Sequence, residues 1–482
     1  MNHKPTAERV FQIFKELNHI PRPSHHEERV ADYLCQFAER LGLSYQRDEH
    51  NCVVIRKPAT VGHEHAEPIV LLNHMDMVCV GMDNPLTDTV EAYTENGWMK
   101  ARGTSLGADN GIGLSMALAV LESADIVHGP LEVITTTNEE DGMSGAANLS
   151  ADFIRGRKVI NLDSEDYDTI TTGAAGACLQ FHSIPVRPVA PPHTGLCWCR
   201  LRFSGGLGGH SGVDINKGRC SAVVATLSLL RMLREDLHFN VSAVDIGEAN
   251  ASIASRGEIV LAVDTTTGEA DVWSLMEDKV AAVNQWLRTN YPGDPNVRFS
   301  VERCDALDSL IPSEAMDSLM TCLSQIPQGV VRMSGVMKDT VETSNNIGRI
   351  QSEADRIFIS THTRSFIDDD MAKLSERIAD VFRQNGATSE MVMSAPAWQE
   401  DQHSDFLQLT SDTFFDVLGW RPRMVAMHFV LEAGFFVEKY PGIQMASIGP
   451  RIVESHSASE RVELQTIDDI WQVLIELLLK LS

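Results

Sequence analysis

Three short apolar runs, each stopping at a side chain able to hold a metal, constrain this chain more than any other feature. Ile69-Val-Leu-Leu-Asn-His74-Met-Asp76 ends in a histidine followed, two positions on, by a carboxylate. Leu131-Glu-Val-Ile-Thr-Thr-Thr137 runs into Asn138-Glu139-Glu140-Asp141-Gly142, and Lys158-Val-Ile-Asn-Leu162 runs into Asp163-Ser164-Glu165. Short continuous apolar runs read as buried strands, which belong to parallel sheets covered on both faces. Such sheets bind ligands outside the carboxyl ends of their strands, where these side chains stand. Two further pieces fit the pattern. Asp109 lies in Gly107-Ala-Asp-Asn-Gly-Ile-Gly113, just before an apolar-periodic helix that continues to about Leu121, and His456 follows the buried run Ile443 to Gly449.

The collected donors are imidazoles and carboxylates, without cysteine. That set suits zinc, manganese or cobalt, and a carboxylate shared between two ions permits a two-metal hydrolytic site. A lone His-x-Asp is more often structural, and adjacent glutamates usually form a solvated turn. Their joint placement at the ends of apolar runs is what favours a metal site. By contrast, His25-His26 and His63-Glu-His65 sit in polar, proline-flanked loops and read as turns rather than ligands.

With 482 residues the chain needs at least two domains. A formal charge of −27 argues against nucleic acid or an anionic membrane as partner. The nine cysteines are scattered without a Cys-x-x-Cys pair, and no apolar leader or spanning run occurs, so a cytoplasmic protein with reduced thiols is expected. Pro185, Pro188, Pro191 and Pro192 mark a boundary. The reading is a first catalytic part over 1–183, an inserted α/β domain over 184–397, and a second catalytic part over 398–482. Helices are expected over 6–17, 27–41, 220–233, 369–382 and 405–418, and strands near 259–263, 340–347 and 357–363.

At this point the sequence resembles the aminoacyl-histidine dipeptidases, within the larger group of di-zinc peptidases that includes glutamate carboxypeptidases and aminoacylases. The resemblance runs nearly end to end. It is carried by Asn-His74-Met-Asp76, Leu-Gly-Ala-Asp109-Asn-Gly-Ile-Gly, Thr-Asn-Glu139-Glu140-Asp-Gly, Asn-Leu-Asp163-Ser-Glu, Gly-Gly-His210-Ser-Gly and Ser-Ile-Gly-Pro-Arg-Ile-Val-Glu-Ser-His456-Ser. The resemblance implies an α/β fold: a catalytic domain with a mixed sheet flanked by helices, interrupted by a lid and dimerisation domain. It implies two metal ions, most simply zinc, held by His74, Asp109, Glu140, Asp163 and His456, with Asp109 bridging. Asp76 is then the partner that orients His74, and Glu139 the general base that takes the proton of the attacking water. It also implies that His210 donates a hydrogen bond at the reaction centre, often that of a partner subunit in a homodimer. Asn346, Arg364 and Glu432 fall on the substrate side, the arginine pairing with a peptide carboxylate. A cis peptide between Asp109 and Asn110 belongs to the same pattern.

Two departures bear on substrate. Phe429 and Val430 replace a small Ala-Gly, and Cys220-Ser221 replaces the usual Ala-Asn after the lid histidine. The expected activity is metal-dependent hydrolysis of small unblocked peptides, dipeptides of the Xaa-His type by resemblance. The alternatives are a deacylase of N-acyl amino acids using the same metals and a non-catalytic binding protein descended from a peptidase.

Overall fold

The computed structural model describes residues 6–192, 194–266, 268–401 and 403–482. Its chain divides into two compact units: 1–173 with 398–426 and 432–482, and 174–397 with 427–431.

The first unit is built on a mixed sheet of nine strands among the described residues. Its centre is four parallel strands in the order Leu131–Thr136, Ile69–His74, Lys158–Asn161 and Gln444–Ser447. Every residue of Ile69–His74 and of Leu131–Thr136 is buried, including the polar Glu132, Thr135 and Thr136, as strands covered on both faces require. Register aligns His74 with Thr136 and Leu72 with Asn161, so the strands stop along one carboxyl edge. The helix Ala108–Glu122 packs beneath with almost every residue buried. It needs Gly113, where a Cβ would come within 2.3 Å of Leu162 O. Glu8–Leu17 and Glu28–Leu41 are the expected amphipathic outer helices. A small antiparallel sheet includes Ile452–Val453 and Arg461–Glu463, and the loop between them carries His456.

The second unit is a nine-stranded antiparallel sheet among the described residues, covered by Ala222–Arg234, Glu269–Asn290, Ser313–Gln325 and Asp368–Gln384. The expected boundary at 183/184 moves to 173/174. Gly176–Pro185 pairs along its whole length with Arg356–Ser365, so the prolines mark the end of this strand rather than the junction of the units. The expected return at 397/398 coincides with the edge of the second unit, which also includes 427–431.

Candidate metal centre

Each donor of the first unit arrives by the route its sequence sets. His74 is the last residue of its strand, and Glu139 and Glu140 turn off the end of the neighbouring strand through Asn138, at φ +55°. Asp163 leaves the third strand, while Asp109 sits at the mouth of its helix after Gly107, whose φ of +68° is left-handed. The Asp109–Asn110 peptide is cis, as expected.

His74 Nε2 lies 3.2 Å from Asp109 Oδ1 and 3.3 Å from Asp163 Oδ1. On the other oxygen of Asp109, His456 Nε2 stands 3.2 Å from Oδ2 and 2.8 Å from Glu140 Oε2. A tetrahedral site with bonds of about 2.0–2.1 Å has its donor atoms about 3.3–3.4 Å apart. The three separations of 3.2–3.3 Å therefore match ligand polyhedron edges as well as hydrogen bonds, while the 2.8 Å pair is a hydrogen-bond distance. Two three-donor groups sharing Asp109 have all their ligand atoms within 4.8 Å of one another, His74, Asp109 and Glu140, and Asp109, Glu165 and His456, with Asp163 Oδ1 beside His74 and Glu140 Oε2 beside His456. Glu140 Oε1 is buried without a hydrogen-bond partner, a cost of about 1–3 kcal/mol that an ion would relieve. Both the chemistry and the spacing fit a pair of divalent ions.

Four charged or polar residues outside the ligand set hold the arrangement. Asp76, fully buried, presents Oδ1 to His74 Nδ1 at 3.4 Å and accepts the peptide N–H of Glu139 on the same oxygen at 3.0 Å. Its Oδ2 accepts the N–H of Glu140 at 3.2 Å and the Ser24 hydroxyl at 2.7 Å. Glu27 Oε1 accepts the N–H of Asn138 at 2.8 Å, and Asn110 donates its amide to Asp163 Oδ1. Nothing local in the sequence marks Ser24 or Glu27, or the bond of Asn110 to Asp163, because the hydrogen-bonding partners involved are distant in the chain. His25 lies in the same loop, but its ring pairs with exposed Asp141 at 2.9 Å. Neither His25 and His26 nor His63 and His65 join a ligand group among the described residues. Glu165, two positions after Asp163, does lie with Asp109 and His456 within ligand distance.

Glu139 has no side-chain partner among the described residues. Burial, opposed by His74 and reinforced by Asp163, Glu140 and Glu432, holds its carboxyl well above the usual range. Glu432 is itself buried, its pKa pushed to about 8 chiefly by burial, and it accepts the Thr136 hydroxyl at 2.7 Å. That is the position of a brace under the strand beside His74.

The second unit gathers a cationic cluster of its own. Arg364 is buried, its Nε lacks a partner, and burial lowers its pKa to about 10. Burial and then Arg364 hold three histidines neutral: His210 falls to about 4, His428 to about 3, and His362 well below its ordinary value. His210 Nδ1 accepts the N–H groups of Gly212 at 3.2 Å and Val213 at 3.1 Å, so its one proton must sit on Nε2. Asn346 is fully buried, giving Nδ2 to Ser252 O and taking Gln328 Nε2 on Oδ1. It thus steadies the segment that bridges to His210. Cys220 is buried in the core of this unit, whereas the Phe429 ring stands edge-on to His210 at 6.1 Å. Of the two departures, only the one at Phe429 touches this cluster.

The model of peptidase family M20/M25/M40 matches residues 70–480. The cytosol non-specific dipeptidase of Escherichia coli (strain K12) is 32% identical over 474 residues, 97% of this chain and 96% of that protein. The aminoacylhistidine dipeptidase from Vibrio alginolyticus superposes with a TM-score of 0.88 at 30% identity, over 99% of this chain and 98% of that one. The aminopeptidase PepT from Bacillus cereus shares the fold, with a TM-score of 0.61 at 16% identity over 99% of each chain.

Proposed function

This chain belongs to peptidase family M20/M25/M40 and is a peptide hydrolase, and from that premise we propose that it cleaves unblocked dipeptides using two divalent ions, zinc before manganese or cobalt. One observation carries the reading: His74 and His456 approach opposite oxygens of Asp109 while Glu139 stands unligated beside them. When bound, such ions polarise the scissile carbonyl and acidify the attacking water. Glu139, held by the Asp76 contact to its backbone, takes that water's proton and returns it to the leaving amine. His210 offers an Nε2–H to developing negative charge, and unpaired Arg364 offers a fork to the dipeptide carboxylate. The aromatic edge of Phe429 beside His210 favours compact residues at this end of the substrate.

A homodimer formed through the second unit is part of this reading. Its edge strand Thr388–Ala395 leaves Met391 63%, Val392 46% and Met393 36% exposed, on a sheet margin whose backbone groups suit strand pairing with a second copy. A cytoplasmic site of action agrees with the free state of all nine cysteines. No helix among the described residues is long and apolar enough to cross a membrane.

The test is a panel of unblocked dipeptides, including Xaa-His, against N-acetyl amino acids, with zinc, manganese and cobalt added separately. Turnover of dipeptides alone supports the proposal. Turnover confined to N-acetyl substrates would replace it with the deacylase reading.

A further inference from the structure

Glu460 lies in the loop that carries His456, and only 3% of it is exposed. Its carboxylate accepts four successive peptide N–H groups: Leu106 at 2.7 Å and Gly107 at 2.9 Å on Oε2, Ala108 at 2.8 Å and Asp109 at 3.3 Å on Oε1. A helix start leaves its first N–H groups without partners, and an ordinary capping side chain satisfies one of them. Here one carboxylate supplies four acceptor contacts, the last to the bridging aspartate itself. Arg22, buried on the opposite side of the turn, donates to Gly107 O at 2.7 Å and to Met75 O and Asp76 O at 3.1 Å. A Cβ at Gly107 or Gly111 would come within 2.6 or 2.7 Å of its guanidinium, which explains both glycines.

The five donors are anchored unequally. His74, Asp163 and Glu140 leave parallel strands whose spacing the sheet ladder fixes. His456 leaves a hairpin loop at φ +57°, and Asp109 a helix mouth. We propose that Glu460 is the positioning residue of the second ion's site, tying the loop of His456 to the backbone of Asp109 and so fixing the separation of these two ligands. The proposal rests on the dinuclear reading of the centre and adds which residue makes its second site.

The experiment titrates chelator-stripped wild type and Glu460→Gln with zinc against a competing chelator, and with cobalt followed by absorption. Glutamine keeps the size but has one acceptor oxygen, so part of the N–H set loses its partner. The first ion should bind Glu460→Gln as it binds wild type, while the second weakens about 10- to 100-fold, the usual effect of removing a ligand's support. Excess metal should then restore turnover. Unchanged affinity for the second ion, or equal weakening of both, would overturn the proposal, the latter being what a merely structural role gives. Glu460→Asp, which keeps both oxygens one methylene short, is read in the same way if the glutamine variant does not fold. A wild type that binds only one ion would refute the dinuclear reading itself.

Discussion

Asp76 Oδ1 accepts the backbone N–H of Glu139 at 3.0 Å, so the carboxylate that faces His74 also holds the proposed general base in place. One buried side chain therefore links the proposed ligand His74 to the proposed proton carrier Glu139, and damage to it should be felt by both.

Asp76→Ala removes the acceptor for two peptide N–H groups and the Ser24 hydroxyl, and the carboxylate 3.4 Å from the His74 ring. Orienting partners of this kind contribute about 10- to 100-fold in metal affinity or activity. The expected outcome is a fall of that size in kcat together with weaker retention of the first ion on dialysis. Steady-state kinetics and metal analysis on the same sample check it; loss of neither would show that His74 and Glu139 are held by other contacts.

Glu139→Ala should leave both ions in place while lowering turnover about 100- to 10,000-fold, the range of general-base contributions. The neighbouring Glu140 reaches to 2.8 Å from His456, whereas Glu139 has no such contact. Elemental analysis decides the matter: metal lost along with activity would mean that the two glutamates share or exchange their roles.

How much of this could be read beforehand follows from how each residue is specified. The five proposed ligands were legible because three stand at or just past buried apolar strands, Asp109 opens a glycine-marked helix, and His456 follows the buried run that ends at Gly449, all patterns local to the chain. Ser24, Arg22, Glu27 and Glu460 carry no such pattern. Arg22 reaches Gly107 and Glu460 reaches Leu106 across long stretches of sequence, and only tertiary folding makes those contacts. The domain edge was misplaced because prolines at 185–192 signal the end of a strand equally well. The departure at Cys220 was expected to bear on substrate, yet its side chain lies in the core.

The histidine cluster of the second unit gives a pH dependence of defined sign. His210, His362 and His428 all have folded pKa values below the ordinary 6.5, through burial and Arg364, with Asp214 only partly opposing this at His210. Between that ordinary value and the lowered ones the unfolded chain binds more protons, so stability rises with pH there and falls as pH drops. Above about pH 6.5 the three groups are neutral in both states and contribute no slope. His428→Gln, which keeps a hydrogen-bonding group for Ser344, should flatten the decline of the urea midpoint between about pH 6.5 and 4 relative to wild type. An identical slope in the variant would remove His428 from the account.

Arg364→Ala should act on substrate binding rather than on the ions. Charge-assisted hydrogen bonds contribute about 1.5–3 kcal/mol, so KM for dipeptides should rise about 10- to 100-fold with metal content unchanged. C-terminally amidated dipeptides, which lack the carboxylate, should already be poor substrates for wild type and lose little more in the variant. An equal loss on both would place Arg364 outside carboxylate recognition.

His210 makes the most specific prediction, because its tautomer is fixed by its own loop. The N–H groups of Gly212 and Val213 occupy Nδ1, and burial with Arg364 keeps the ring neutral down to about pH 4, leaving Nε2–H as a permanent donor across the working range. A donor to a developing oxyanion contributes about 100- to 1,000-fold in kcat. His210→Ala should therefore lower kcat by that order while KM and both ions change little. His210→Asn can still present an N–H and should recover part of the loss. The kcat profile of wild type should show no inflection attributable to this ring between about pH 5 and 8, in contrast to a histidine near its ordinary value. Asparagine performing no better than alanine, with metals bound in both, would mean that His210 serves the loop rather than the reaction.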